Sequence, residues 1–238
     1  MSADRVLDII ARANQRGGRM LSAVDLMERG TLTRAQLAWT LTRIEAGSGW
    51  LVGARPGGAG KTAVMCALLA FLPQGEPVRL TRPEAHWTSA RPAECLVCYE
   101  LSPGRYDAYL WGEDVRRLTA LGAAGCRLVA NLHADTLEEA RDQVVLQCRA
   151  PAEHFAAFGI FLGISVRQRG YETERAVERL YGVDNGAWKP FDAAVRPATR
   201  REREIGAFLE DCRARRVLLI EEVRRQWLGW RASCPPSA

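Results

Sequence analysis

Two hydrophobic periods alternate along this chain, and their order predicts its architecture. Near the start, Val6, Ile9, Ile10 and Ala13 recur at helical spacing until Gly17 and Gly18 interrupt them. Residues 21–27 predict a short second helix and 33–44 a third, with Thr31 or Thr33 as its N-cap. Gly47 and Gly49 then release the chain into the short apolar run Trp50–Gly53, a strand. Helix 61–71, which ends before Pro73, leads to a short strand at Val78–Leu80 and a continuous apolar run at 95–99. A helix over 106–123, a buried strand at Arg127–Leu132, a helix over 137–148 and a strand at 160–166 follow. Apolar runs alternating with amphipathic helices mark a parallel sheet covered on both faces.

The last third changes character. Residues 175–183, the turn Asp184-Asn185-Gly186 and 187–191 predict a β-hairpin, because Asn-Gly is a favoured turn dipeptide. Residues 199–230 read as two charged amphipathic helices broken near 214–216, with a frayed tail containing Pro235 and Pro236. The predicted division is a helical lead-in at 1–47, an α/β core at 48–195 and a helical extension at 196–238.

Composition narrows the function classes. A chain of 238 residues has room for one sizeable α/β domain with small appendages. Its formal net charge of +5 is spread among interspersed arginines and acids, which reads as a solvated surface; no nucleic acid is expected as a partner. Seven cysteines scattered through apolar segments suit a reducing compartment better than a disulfide framework. Cys95 and Cys98 are spaced as in a metal or redox pair, but positions three apart in a strand face opposite ways, which makes them core. No signal peptide is read at the N-terminus, and no apolar run approaches the ~20 residues that span a bilayer. The expected location is cytoplasmic.

The densest chemistry lies in residues 50–62. The strand enters a turn containing Gly57, Gly58, Ala59 and Gly60, then Lys61 and Thr62 open a helix. Small residues let backbone N–H groups approach an anion, the helix N-terminus adds its positive dipole end, and a lysine reaches the outer phosphates. The hydroxyl of Thr62 would ligate Mg²⁺. One position departs from the usual pattern: Arg55 stands where the first glycine of such a loop belongs.

Ligands of open parallel sheets bind beyond the carboxyl ends of the strands, and two further polar groups fall there. Glu100 follows the run 95–99 and could hold Mg²⁺ or orient the water that attacks a γ-phosphate. His133 follows Arg127–Leu132 and could contact the γ-phosphate. Asp135 or Thr136 is expected to cap the next helix. His86 and His154 have no partner at metal-ligand spacing and read as structural; Arg167 and Arg169 read as surface residues.

Taken together, these stretches resemble the ATPase domain of the type II/IV secretion family, the RecA-like motors of pilus, archaellum and secretion machines. The archaeal and tight-adherence branch is the most similar. The stretch from Asp25 to Thr33, with Ile44-Glu45-Ala46, is similar to the helical lead-in of that branch. The stretch from Arg55 to Thr62 takes the place of its phosphate loop, and that from Arg91 to Leu101 resembles its second motif, with Glu100 as the glutamate. The stretch from Leu128 to Ala140 resembles its histidine box. The resemblance spans roughly residues 20–230 and lacks the family's large N-terminal domain.

The resemblance implies a RecA-like P-loop NTPase that binds ATP and Mg²⁺. Gly57, Gly58, Ala59, Gly60, Lys61 and Thr62 would bind nucleotide, Thr62 and Glu100 the metal, and Glu100 and His133 would be catalytic. It also implies a hexameric ring of its own copies, or assembly with a paralogous ATPase. That ring would work against a polytopic membrane platform protein, peripherally at the inner face of the cell membrane. Three departures point to an alternative, a hydrolysis-poor subunit that regulates or supports an active ATPase. Arg55 replaces the loop glycine, Leu80-Thr81-Arg82 replaces an acidic pair, and Ser102 stands where an arginine follows the second motif. A small-molecule kinase would share the loop but leave the histidine box and the closing helices unexplained.

Overall fold

The computed structural model describes residues 4–14, 17–83, 93–104 and 106–235. In chain order the elements are α1 (Arg5–Ala13), α2 (Ala23–Glu28), α3 (Arg34–Glu45), β1 (Trp50–Gly53), α4 (Lys61–Leu69), β2 (Val78–Leu80) and β3 (Cys95–Leu101). Then come β4 (Tyr109–Leu110), α5 (Glu113–Ala123), β5 (Arg127–Leu132), α6 (Leu137–Arg141), a π-helical stretch (Asp142–Gln147) and a 3₁₀ stretch (Ala152–Phe158). The chain closes with β6 (Ile160–Arg169), β7 (Glu172–Asp184), β8 (Ala187–Pro190), α7 (Arg200–Ala214) and α8 (Ile220–Ser233). The protein is a mixed α/β structure with a central, mostly parallel sheet.

Two compact units make up the chain. The sheet unit comprises Gly47–Lys61 and Glu76–Phe191. Its strand order is β2-β3-β5-β1-β6-β7-β8, with β4 also paired to β3. Pairing is parallel from β2 to β6 and antiparallel through β7 and β8. Strands β1, β3 and β5 are buried at every position, the mark of a sheet covered on both faces. The type I′ turn between β7 and β8 takes Asn185 at φ 51° and Gly186 at φ 77°, as the Asn-Gly pair predicts.

The helical unit comprises Met1–Ala46, Thr62–Gly75 and Asp192–Ala238. Thr33 caps α3 through a capping box with Gln36, and Thr199 does the same for α7 with Glu202. Val6, Ile9, Ile10 and Ala13 are the buried face of α1, as their spacing predicts. Arg224 on α8 donates to the carbonyls of Ala70 and Leu72 just beyond α4, satisfying acceptors that a helix end leaves open. Phe71, Trp227, Phe208 and Trp230 pack edge to face or tilted, with successive centroids 5.1–5.4 Å apart.

Several elements differ from the sequence expectation. The second helix runs Ala23–Glu28, two residues later at its start than predicted, because Ser22 caps it with Asp25. The helix expected over 106–123 begins only at Glu113: Gly112 sits at φ 57°, and Tyr109–Leu110 extends the sheet alongside Glu100 and Leu101. The helix expected over 137–148 is α-helical only to Arg141 and continues as a π-helix. The last parallel strand continues past Val166 to Arg169, and its ladder with β7 reaches the Arg169–Glu172 pair. Arg167, Gln168 and Arg169 are exposed, so no hydrophobic alternation announces that extension. His86, Arg91, Pro92 and Pro236 lie outside the described residues.

Candidate functional site

The carboxyl ends of three strands lie level. Gly53 of β1 pairs with Leu132 of β5, and Leu132 with Leu101 of β3. Beyond Gly53 the chain enters the loop 54–60; beyond Leu132 it places His133. The strand end at Gly53 admits no side chain, since a Cβ there would stand 2.4 Å from the carbonyl oxygen of Ala134. Loop and His133 segment are therefore held in direct contact.

Glu100 is not beyond its strand, as the sequence suggested, but inside it. The ladder between β3 and β5 shifts register between Cys98 and Leu101, so β3 carries an extra residue there. Asn131 donates from its side-chain amide to the Tyr99 carbonyl at 2.8 Å and occupies the irregularity. Such bulges re-aim a side chain at the edge of a site. Here the Glu100 carboxylate stands 3.6 Å from Lys61 Nζ and 3.9 Å from His133 Nε2.

Lys61 and Glu100 are only 8 % and 6 % exposed, yet they are loosely paired. Lys61 donates to the Ala54 carbonyl at 3.2 Å and approaches His133 Nδ1 at 3.4 Å. Glu100 Oε1 is buried and has no hydrogen-bond partner among the described residues. Burial pushes the Glu100 carboxyl above its ordinary range, against the pull of Lys61 and His133. Burial likewise pushes the Lys61 ammonium down, against the pull of Glu100. The two charges do not fully repay each other's desolvation. His133 Nδ1 also lies 3.3 Å from the Arg55 carbonyl. Protonated, it donates to that carbonyl; bare, it accepts from Lys61. It cannot do both.

The loop 54–60 turns through backbone conformations that favour glycine. Gly58 and Gly60 adopt φ of 76° and 95°, a conformation L side chains rarely take, and Ala59 is buried. Lys61 opens α4, whose first-turn N–H groups have no intrahelical acceptor. Thr62, the second helical residue, is half-buried. Among the described residues no group of three or more His, Cys, Asp or Glu side chains is placed to hold a metal. A nucleotide-borne Mg²⁺ takes one or two protein oxygens and fills its shell with phosphate and water, a demand that the buried Oε1 of Glu100 fits in kind.

Two arginines at the loop carry roles that sequence reading missed. Arg55, noticed only as a missing glycine, ties the loop to the segment after β5. Its backbone N–H donates to Asp135 at 2.8 Å, and its guanidinium takes Glu139 by two contacts of 2.5 and 3.2 Å. Arg175 on β7 donates to the Gly58 carbonyl at 3.1 Å. Nothing local marks it, because 117 residues separate it from that partner.

The remaining candidates are placed as follows. Thr136, not Asp135, caps α6, accepting from the Glu139 N–H; the Asp135 carboxylate serves Arg55. Arg167 and Arg169 pair with Glu178 and Glu174 across the hairpin. Cys95 and Cys98 are buried and free. His154 has a buried Nδ1 without a hydrogen-bond partner. Thr81 is buried against the Val97 carbonyl, and Arg82 pairs with Asp107.

No family model matches this chain, and no curated protein matches it. Among solved structures, it is similar to the VirB11 ATPase from the Brucella suis type IV secretion system in complex with sulphate. The TM-score is 0.45 at 16 % identity, over 66 % of this chain and 53 % of that one. The chain thus spans about half the length of that structure.

Proposed function

We propose that this chain binds a nucleoside triphosphate, ATP with Mg²⁺, at the rim formed by residues 54–62, Glu100 and His133, and hydrolyses it. Residues 48–195 would form a RecA-like core. Lys61 holds the β- and γ-phosphates, with the glycine-rich loop and the first amides of α4 around them. Thr62 and Glu100 would hold the metal, which when bound would supply charge neutralisation at the phosphates. Glu100 orients the attacking water and His133 reads the γ-phosphate. In the setting its motifs resemble, the protein is a motor subunit of a secretion or pilus machine, working in a ring with its own copies or a paralogue against a membrane platform protein. Among the described residues no helix is long and apolar enough to cross a membrane.

The observation that carries this reading is the buried Oε1 of Glu100, without a hydrogen-bond partner among the described residues and 3.9 Å from His133, on a carboxylate whose Oε2 lies 3.6 Å from Lys61. An orphaned buried acceptor costs about 1–3 kcal/mol, and a bound ligand that supplies a donor or cation removes that cost. Titration of ATP into wild type and Lys61→Ala, with turnover measured in parallel, is the test. Binding and turnover are expected in wild type and lost in the variant; equal behaviour of the two removes the site.

A second reading has its own support. Where the resembled motifs carry an acidic pair, Thr81 is turned to the Val97 carbonyl and Arg82 to Asp107, and Ser102 stands in place of an arginine, so transfer lacks groups that would position charge. Such a chain binds nucleotide with little turnover and acts as a structural or regulatory partner of an active ATPase. Tight binding without measurable hydrolysis selects it.

A further inference from the structure

Among the described residues, Arg55 and Lys61 arise from the loop 54–60 or its end, and Arg175 touches it. Two of them already face a carboxylate. Arg55 pairs with Glu139, and Lys61 with Glu100. Arg175 does not. It is half-buried on β7, and among the described residues its guanidinium meets only backbone carbonyls, Gly58 through Nε at 3.1 Å and Thr173 through Nη1 at 3.3 Å. Its neighbours on the same hairpin show what an ordinary surface arginine does there: Arg167 and Arg169 each take a glutamate. An arginine fork has five N–H donors suited to an oxyanion, and at Arg175 both on Nη2 are uncommitted among the described residues.

Its placement is equally specific. The stem crosses the loop, with Cδ 3.6 Å from where a Cβ on Gly60 would stand. Lys61 reaches back to the base of the loop at Ala54, and Arg175 covers its tip at Gly58. One cation opens helix α4 and the other stands on strand β7, and they meet the loop at different points.

We propose that Arg175 is a phosphate-binding residue of this site, supplied within the same chain by the β6–β7 hairpin. It contacts the polyphosphate of the nucleotide, not its base or sugar. This rests on the nucleotide-binding reading above and extends it. The ligand class it selects is a polyphosphate, because an uncompensated guanidinium gains with each anionic oxygen brought near it. The hairpin thereby becomes part of the loaded site, and occupancy of the loop is felt along β7.

The test uses ATP and inorganic tripolyphosphate, titrated into wild type and into Lys61→Met, Arg175→Gln and Arg175→Lys variants. Arg175→Gln keeps a donor for the Gly58 carbonyl and removes the charge; Arg175→Lys keeps the charge. The expected result is that Arg175→Gln weakens both ligands by about tenfold or more, to a similar degree, while Arg175→Lys recovers a substantial part. Binding by Arg175→Gln within twofold of wild type would leave Arg175 as a brace for the loop and overturn the proposal. Loss of ATP binding with tripolyphosphate binding unchanged would overturn it too. Wild type that binds neither ligand sinks the underlying nucleotide reading instead. On the unmutated protein, arginine-specific modification by phenylglyoxal should be slowed at Arg175 by tripolyphosphate; an unchanged rate there counts against the assignment.

Discussion

The central sheet buries an ion pair at each of its ends, and the two are built differently. At the amino end, Arg127 opens β5 and holds both oxygens of Glu76 at 2.6 and 3.0 Å while donating to the Ser48 carbonyl at 2.5 Å. Both side chains are almost fully buried, and every carboxylate oxygen is met. At the carboxyl end, Lys61 and Glu100 are buried to a similar degree, but they stand 3.6 Å apart and leave Oε1 open. A bidentate guanidinium repays the desolvation of its partner; a distant ammonium does not. The closed pair suits structure. The open pair leaves a donor and an acceptor for something else.

Breaking the closed pair should have the largest effect. Arg127→Met leaves Glu76 buried without its partner, and urea denaturation should show a loss of about 3–5 kcal/mol. Replacing the open pair should do the reverse. Lys61→Met with Glu100→Gln should leave stability unchanged or raise it by about 1 kcal/mol or more, while abolishing nucleotide binding in the same preparation. A large loss of stability in that double variant would show the open pair to be structural after all.

Smaller effects sharpen the contrast. Asn131→Ala frees the Tyr99 carbonyl in the bulge and should cost about 1–3 kcal/mol, with a further drop in nucleotide affinity because Glu100 loses its aim. Thermal melting alongside ATP titration reads both. The pH dependence of single carboxyl variants should have opposite signs in two places. Glu100 has its folded-state pKa raised above the unfolded value near ~4.3, so the stability it contributes is present at low pH and lost as pH rises through the folded value. Glu100→Gln should therefore gain on wild type as pH rises. At Asp25 burial pushes upward, but bonds from Arg19 and Ser22 outweigh it and hold the carboxyl below its usual range. Its contribution is present at neutral pH and lost as pH falls, so Asp25→Asn should lose most near neutrality and approach wild type in acid.

Much of this was legible in the chain because it depends on local periodicity. The face of α1, the capping Thr33, the buried runs of β1, β3 and β5, and the Asn185-Gly186 turn all follow from residues within a few positions of one another. What stayed hidden depends on partners distant in sequence. The two residues of β4 have no run of their own and exist because Glu100 and Leu101 offer them an edge. The exposed end of the β6–β7 hairpin is held by its ladder and cross-strand ion pairs, not by an apolar pattern.

The candidate site divides along the same line. Glycine spacing, Lys61, Thr62 and the strand-end positions near Glu100 and His133 were all present in the linear order, because strand ends and helix starts are local events. Whether those groups meet, how tightly Lys61 and Glu100 pair, and which cations flank the loop were decided by the parallel register of β1, β5 and β3, the bulge beside Asn131, and a hairpin that returns Arg175 to Gly58. Local sequence sets which groups stand at the ends of elements. Burial, pairing distance and charge compensation arise only when elements far apart in the chain are packed side by side.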